Sequence, residues 1–320
     1  MIQKEALWDS PIIAKGTLLA GKYIVNSRLA QTDLSVIFSG INRDTEEPVA
    51  IKAINQSSLE KAKKSNDPLI EEIIWQMFYN EELILSNLNH AGIPKSYGQH
   101  FQYVSGNRIP IRIMEYVPLH LDSFFKNRPF LPRLAEFIIQ FSGILSYLHE
   151  NGIIHSDIKP QNIMCNRDEI KLIDFNTASH SIDPHYRHAH PRNIVRLKDG
   201  YQSMTAAFAP PEVKKGCRAV FASDIYSFSR VLDSIIIANS DGNYSILKND
   251  SRKTLSRGKE PDKEDNDIGK IITALMDMPS TLFDIRQKCS SEDIDKRISP
   301  SELCYMGKKL LEDSKKNYYK

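Results

Sequence analysis

No apolar run in this chain approaches the roughly 18 residues a membrane-crossing helix needs. Met1–Gly16 also lacks the continuous apolar stretch of a secretory leader. Both absences predict a cytoplasmic protein, or one delivered by a bacterium into a host cytosol. Cysteine is scarce: Cys165, Cys217, Cys289 and Cys304 form no CxxC pair, and no histidine stands at zinc-finger spacing from them. That excludes a structural zinc knuckle and a dense disulfide framework, and predicts reduced thiols. An excess of either charge is missing too, with 42 basic against 40 acidic residues and a net charge of +2. Such a balance gives no electrostatic footprint for nucleic acid or a membrane surface. There is no internal repeat. What remains is a chain of 320 residues, 41% hydrophobic and 26% charged, long enough for one large domain or two small ones with a substantial core.

Apolar, β-branched runs recur in the first third: Tyr23-Ile24-Val25, Val36-Ile37-Phe38, Val49-Ala50-Ile51 and Ile111-Arg112-Ile113-Met114. Polar turns such as Asn42-Arg43-Asp44 separate them, which predicts a meander of strands. One helix-periodic segment without Gly or Pro, Ile70–Leu88, lies among them. After Pro118 the pattern becomes helical. Leu134, Phe137, Ile138, Phe141, Leu145 and Leu148 keep helical spacing, and Asn151-Gly152 provides a stop. Asp224–Ile237 predicts a second, buried helix, and Ile268–Lys309 leaves room for two more. The polar stretch 239–267 predicts an exposed, flexible insertion.

Chemistry concentrates in His155-Ser156-Asp157-Ile158-Lys159-Pro160-Gln161-Asn162 and, shortly after, Ile173-Asp174-Phe175. Each polar turn follows an apolar run, so each presents a carboxylate at the end of a strand. Phosphoryl transfer needs this set: a carboxylate to orient the attacking hydroxyl, oxygen ligands for Mg²⁺, and cations to neutralise phosphate charge. One Asp with one Asn suits a hard cation rather than zinc.

With these residues the chain resembles the protein kinase family, in its bacterial-type Ser/Thr branch. His155–Asn162 is similar to the catalytic loop H-R-D-L-x-x-x-N, and Val49-Ala50-Ile51-Lys52 to the lysine strand. Asp174-Phe175-Asn176 stands for D-F-G, and Pro210-Pro211-Glu212 for A-P-E. Ser223–Phe228 and Asp293–Arg297 resemble later family segments, and Leu18–Val25 resembles the lead-in of the bacterial members.

The resemblance implies an α+β, two-lobed kinase fold, with a small antiparallel-sheet N-lobe carrying one long helix and a larger helical C-lobe. It implies residues 20–117 and 118–312 for the lobes, 1–19 for an N-terminal extension and 313–320 for a tail. It implies ATP and Mg²⁺ as cofactors and Ser/Thr hydroxyls of a protein as substrate. Asp157 would be the catalytic base, Lys159 would stabilise the transferred phosphoryl, and Asn162 and Asp174 would hold the metal. Lys52 would contact the phosphates and pair with Glu81, with Glu82 as the second candidate. Leu29, Ala30, Thr32 and Ser35 would cover the phosphates. Ile37, Ala50 and Met164 would enclose adenine, with Met114 as gatekeeper and Glu115–Val117 binding its edge. Glu212 and Arg297 would pair as a structural unit. All four polar groups, Lys52, Asp157, Asn162 and Asp174, would act on one metal-bound triphosphate.

Three elements of the family pattern are altered. Its glycine-rich loop falls on Ala30, Thr32 and Ser35, with no glycine left to let the backbone approach phosphate. Asn176 replaces the last glycine of D-F-G. Ser156 replaces the arginine before the catalytic aspartate, so a phosphorylated activation loop has no partner there, and activity is expected to be independent of such phosphorylation (a non-RD kinase). The missing glycines favour, as an alternative, a pseudokinase scaffold that binds nucleotide or partners without turnover. A small-molecule kinase shares the H-x-D loop but not the Thr205–Glu212 segment. His180, His185, His188 and His190 predict a solvated loop rather than a metal site, since no Cys or paired acid accompanies them.

Overall fold

Alternation builds the first sheet. In a strand, every second side chain faces the same way, and here the inward set is Tyr23, Val25, Val36, Phe38, Val49, Ile51, Ala53, Ile111 and Ile113. The strands are β1 (Leu18–Leu19), β2 (Tyr23–Gln31), β3 (Ser35–Asn42), β4 (Pro48–Ile54), β5 (Ser96–Val104) and β6 (Asn107–Glu115). They form one antiparallel sheet in the order β1-β2-β3-β4-β6-β5. The register of β4 on β6 sets Ala50 opposite Met114 and Lys52 opposite Arg112. By the same period of two, these residues lie on the face of the sheet away from Ile51 and Ile113.

Two helices, α1 (Gln56–Lys64) and α2 (Pro68–Leu85), belong to this part of the chain. In α2, Ile74, Phe78, Glu81 and Leu85 are buried at helical spacing, so one carboxylate sits on an otherwise apolar stripe. Ile74 and Phe78 join Ile54, Leu59, Ala62 and Ile109 in a second apolar cluster.

The computed structural model describes residues 13–32, 34–64, 68–104, 107–181, 207–247, 273, 276 and 278–318. The chain divides into two compact units, Met1–Asn89 with Pro94–Val117, and His90–Ile93 with Pro118–Lys320. His185, His188, His190, Thr205 and residues 248–267 lie outside the described residues. His180 is exposed in a two-residue strand.

The second unit is helical around aromatic packing. Its helices are α3 (Leu121–Phe125), α4 (Phe130–Glu150), α5 (Pro211–Lys214), α6 (Phe221–Ser240), α7 (Ser280–Cys289) and α8 (Pro300–Tyr318). Phe137, Phe141 and Phe228 are fully buried, and the rings of Phe141 and Phe228 stack at 4.6 Å, tying α4 to α6. Gly307 of α8 lies against α4, where a Cβ would come within 2.9 Å of Ile138 Cγ2. Short strands β7 (Leu119–His120), β9 (Ile163–Asn166) and β10 (Glu169–Leu172) form a second sheet, and β8 (Ile153–Ile154) pairs with β11 (Ser179–His180). The segment His90–Ile93 is held by this unit. Leu172 N–H donates to the Gly92 carbonyl (2.9 Å), Lys171 Nζ to the Ala91 carbonyl (2.7 Å), and the His90 ring stacks on Tyr147.

Three expected boundaries are corrected. Residues 13–19 are not an extension. Leu18 and Leu19 pair with Ile24 and Tyr23, and Leu19 is fully buried in the sheet's core. The stretch from 239 is packed at its start, because α6 runs to Ser240 and Leu247 is buried, while Tyr244 stacks on Phe125. Residues 313–318 are not a tail but the last turns of α8, where Ser314 is buried and Asp313 accepts a hydrogen bond from Thr281 Oγ1 (3.2 Å). The polar sequences of α1 and β5 hid two further elements.

Candidate functional site

In the first unit, Lys52 Nζ lies 2.6 Å from Glu81 Oε2, and both residues are almost fully buried. The pair follows from two patterns: Lys52 from the outward period of β4, Glu81 from the inward stripe of α2. Ionised groups stripped of water require partners of opposite charge. Arg112, the largest fully buried side chain among the described residues, supplies a further cation. Its guanidinium donates to Glu81 Oε2, to Glu82 Oε2 (2.8 Å) and to the Phe78 carbonyl. Removing one partner from such a group costs about 3–5 kcal/mol.

The tip joining β2 to β3 is self-satisfied. Thr32 Oγ1 accepts from the backbone N–H groups of Leu34 (3.2 Å) and Ser35 (3.0 Å). Asn55 Nδ2 donates to the Thr32 carbonyl (2.7 Å), and Asn55 N–H to the Leu34 carbonyl (2.9 Å). Of the residues expected there, Leu29 and Ala30 are exposed, Thr32 is half-buried, and Ser35 is 2% exposed, with its hydroxyl 3.3 Å from that of Thr32. Thus two backbone donors that a glycine-rich loop would offer to phosphate are engaged by a side-chain hydroxyl.

Ile37, Ala50 and Met114 are half-buried on strands of the same sheet. Glu115 gives its backbone N–H to the Lys95 carbonyl (2.9 Å) and accepts the Lys95 N–H on Oε2 (3.1 Å). Val117 is buried at the end of this unit.

In the second unit the polar loop is held from below by α6. Asp224, at the start of that helix and fully buried, accepts the N–H of His155 on Oδ2 (2.9 Å) and that of Ser156 on Oδ1 (3.0 Å). These bonds hold Ser156 at φ 68°, a left-handed conformation that costs a residue with a Cβ about 1–2 kcal/mol. His155 accepts the Asp157 N–H on Nδ1 (3.3 Å), and its Nε2 lies 3.1 Å from the Ile173 carbonyl, which fixes one ring tautomer. Its ring meets Phe175 edge-on at 4.8 Å.

Asp157 is thereby buried beside its partners. Lys159 Nζ is 2.7 Å from its Oδ2, and Asn162 Nδ2 donates to the same oxygen (3.1 Å) and to the Asp157 carbonyl (2.8 Å). Burial pushes the Asp157 carboxyl above the usual aspartate range, against the pull of Lys159 and with an added push from Asp174.

The β9–β10 hairpin brings Asn162 and Asp174 together. Ile163 pairs with Leu172, and the Ile173 N–H donates to the Asn162 carbonyl (2.9 Å), which continues the ladder to the residues flanking both strands. With the Asn162 amide nitrogen turned to Asp157, its Oδ1 is the atom left to serve as a ligand. An amide oxygen and a carboxylate are hard donors of the kind Mg²⁺ takes. No group of three or more His, Cys, Asp or Glu side chains among the described residues could hold a metal alone. Met164 is half-buried on β9.

Glu212 and Arg297 form a bidentate pair at 2.7 and 2.8 Å, with Ser223 Oγ also donating to Glu212 (2.7 Å). Burial raises the Glu212 carboxyl, but the Arg297 and Ser223 bonds outweigh it and leave it below the usual range. The sequence reading assigned neither Arg112 nor Asp224 a role in supporting the polar groups, and it missed the Thr32–Asn55 tip. The one available signal was an arginine flanked by isoleucines in an otherwise apolar strand.

The family model for the protein kinase domain matches residues 23–306. A Mycoplasma genitalium protein named a serine/threonine-protein kinase is 25% identical over 94% of this chain and 82% of its own length. A Streptomyces coelicolor relative so named is 27% identical over 68% of this chain and 30% of its own. One from Mycolicibacterium smegmatis is 26% identical over 71% and 27%. The chain thus spans most of the first relative and less than a third of the other two. The α+β units with their lysine strand and polar loop define a phosphotransferase class. The chain belongs to the protein kinase family, and its similarity within it is to Ser/Thr protein kinases, bacterial ones among them.

Proposed function

We propose that the protein transfers the γ-phosphate of ATP to Ser or Thr hydroxyls of a protein. The observation that carries this is the Asp157–Lys159–Asn162 cluster, with Asp174 beside it. Asp157 accepts the proton of the attacking hydroxyl. Lys159, held on that carboxylate, lies where the transferred phosphoryl gathers charge. Asn162 and Asp174 would hold Mg²⁺, which when bound would neutralise phosphate charge. Lys52, fixed by Glu81, contacts the α- and β-phosphates. Ala50 and Ile37 contact adenine, with Met114 as gatekeeper and the Glu115–Val117 backbone at its edge. The relatives' names support Ser/Thr over Tyr, as does Lys159.

Ser156 is uncharged and has its N–H on Asp224, so it offers no cation to a phosphorylated activation loop. Activity is therefore independent of such phosphorylation. The scaffold reading draws on the β2–β3 tip, where Thr32 already holds two backbone donors. One experiment decides between them: incubation with Mg²⁺-ATP and generic protein substrates, with mass spectrometry of the products. Phosphoserine and phosphothreonine are expected, at a rate unchanged by prior phosphatase treatment. Nucleotide binding with no transfer to any substrate or to the protein itself supports the scaffold instead.

A further inference from the structure

Lys52 and Arg112 are cross-strand neighbours on one face of the sheet. Directly opposed side chains in an antiparallel pair sit about 5 Å apart, and like charges so placed repel. Both are almost fully buried, so water does not screen them. The two carboxylates that neutralise them, Glu81 and Glu82, both come from α2. The arrangement is thus two cations on the sheet and two anions on the helix. If α2 moves away, Arg112 loses Glu81 and Glu82 together while the charge of Lys52 stays opposite it.

Arg112 also grips the helix sterically. It reaches the Phe78 carbonyl, Glu81 and Glu82, more than a full turn of α2, and its guanidinium lies 4.7 Å from the centre of the Phe78 ring. Glu82 is fastened in turn to β5 through Ser96 Oγ (3.3 Å). Each carboxylate is therefore bound to at least one group of the sheet besides its neighbour on the helix.

We infer that Arg112 is a positioning residue that locks α2 in the placement where Glu81 meets Lys52, so that this pair is assembled without a phosphorylation signal. Kinase activity requires the lysine–glutamate pair to be in place, and helix placement is a usual point of control. The inference rests on the kinase reading for its consequence. The lock itself rests on the sheet and helix alone.

The test compares the wild type with Arg112→Met, Arg112→Lys and the charge-balanced Arg112→Met/Glu82→Gln. Two readouts are used: hydrogen exchange of α2 against α4 and α6, and kcat and KM for ATP. The lock predicts exchange of α2 about tenfold faster in Arg112→Met, with α4 and α6 unchanged, because loss of the grip opens the helix locally. It predicts kcat lower by about tenfold or more, with partial recovery in Arg112→Lys, which keeps the charge but not the three-point reach. The double variant, with Lys52 and Glu81 still balanced, keeps the fast α2 exchange. Unchanged α2 protection in both Met variants overturns the inference. So does a rise in kcat in Arg112→Met, which would mean that Arg112 draws Glu81 away from Lys52. Global loss of protection in Arg112→Met leaves the double variant and Arg112→Lys to decide by the same two readouts. Should the wild type transfer no phosphate, the kinase reading fails, and the exchange arm still decides the lock.

Discussion

Asp157 carries two demands that pull in opposite directions. A base must be ionised to accept a proton, yet burial favours its neutral form and raises its pKa. Lys159, at 2.7 Å, restores part of the ionised state. The active form is the carboxylate, so the rate falls as pH drops through the raised pKa. The acid limb of kcat against pH is therefore expected above the value of an ordinary aspartate, about 3.9. Lys159→Ala removes a charge that lowers that pKa, so the limb moves to still higher pH. A limb that does not move in that variant would show that Lys159 does not tune the base. These residues were legible in the sequence because they are polar, close together and in a recognisable order. Arg112 was not, since what makes it matter is its register partner Lys52, and register is a property of the folded sheet.

Among the elements, the four-residue helix α5 is anchored by a bidentate ion pair. Glu212 on it takes both nitrogens of the Arg297 guanidinium beyond α7. The sign of its pH dependence follows from its lowered pKa. The folded state binds fewer protons than the unfolded chain near pH 4, so the contribution is complete above the unfolded value and is lost as pH falls through the folded one. Glu212→Gln is expected to lower stability at pH 7 by about 3 kcal/mol, by leaving Arg297 without its charge partner. It should also flatten the dependence of the urea midpoint on pH below about 5. A variant with wild-type midpoints across that range would exclude the anchoring role. The patterns that predicted elements correctly were strong ones: the branched runs of β2, β3, β4 and β6, and the long stripes of α2, α4 and α6. β5 escaped because Ser96–Val104 is an edge strand with polar residues at many positions. α1 escaped because only Leu59 and Ala62 are buried in it.

At the scale of the molecule, each compact unit holds its own buried polar cluster. The first holds Lys52 with Glu81, Glu82 and Arg112. The second holds Asp157 with Lys159 and Asn162. No helix among the described residues is long and apolar enough to cross a membrane. The sequence-based expectation of a boundary near Pro118 rested on the change of hydrophobic period there from two to 3.6. The strand at Leu18 and the last turns of α8 were hidden by short length and by a run of charged residues.

The central claim is that Asp157 performs transfer rather than binding. The most direct measurement is the single-turnover rate of γ-phosphate transfer from Mg²⁺-ATP, with nucleotide affinity measured on the same samples, for the wild type and Asp157→Ala. A fall in rate of about 10²–10⁴-fold, with affinity for ATP little changed, is predicted. An Asp157→Ala protein that transfers phosphate at the wild-type rate would contradict it.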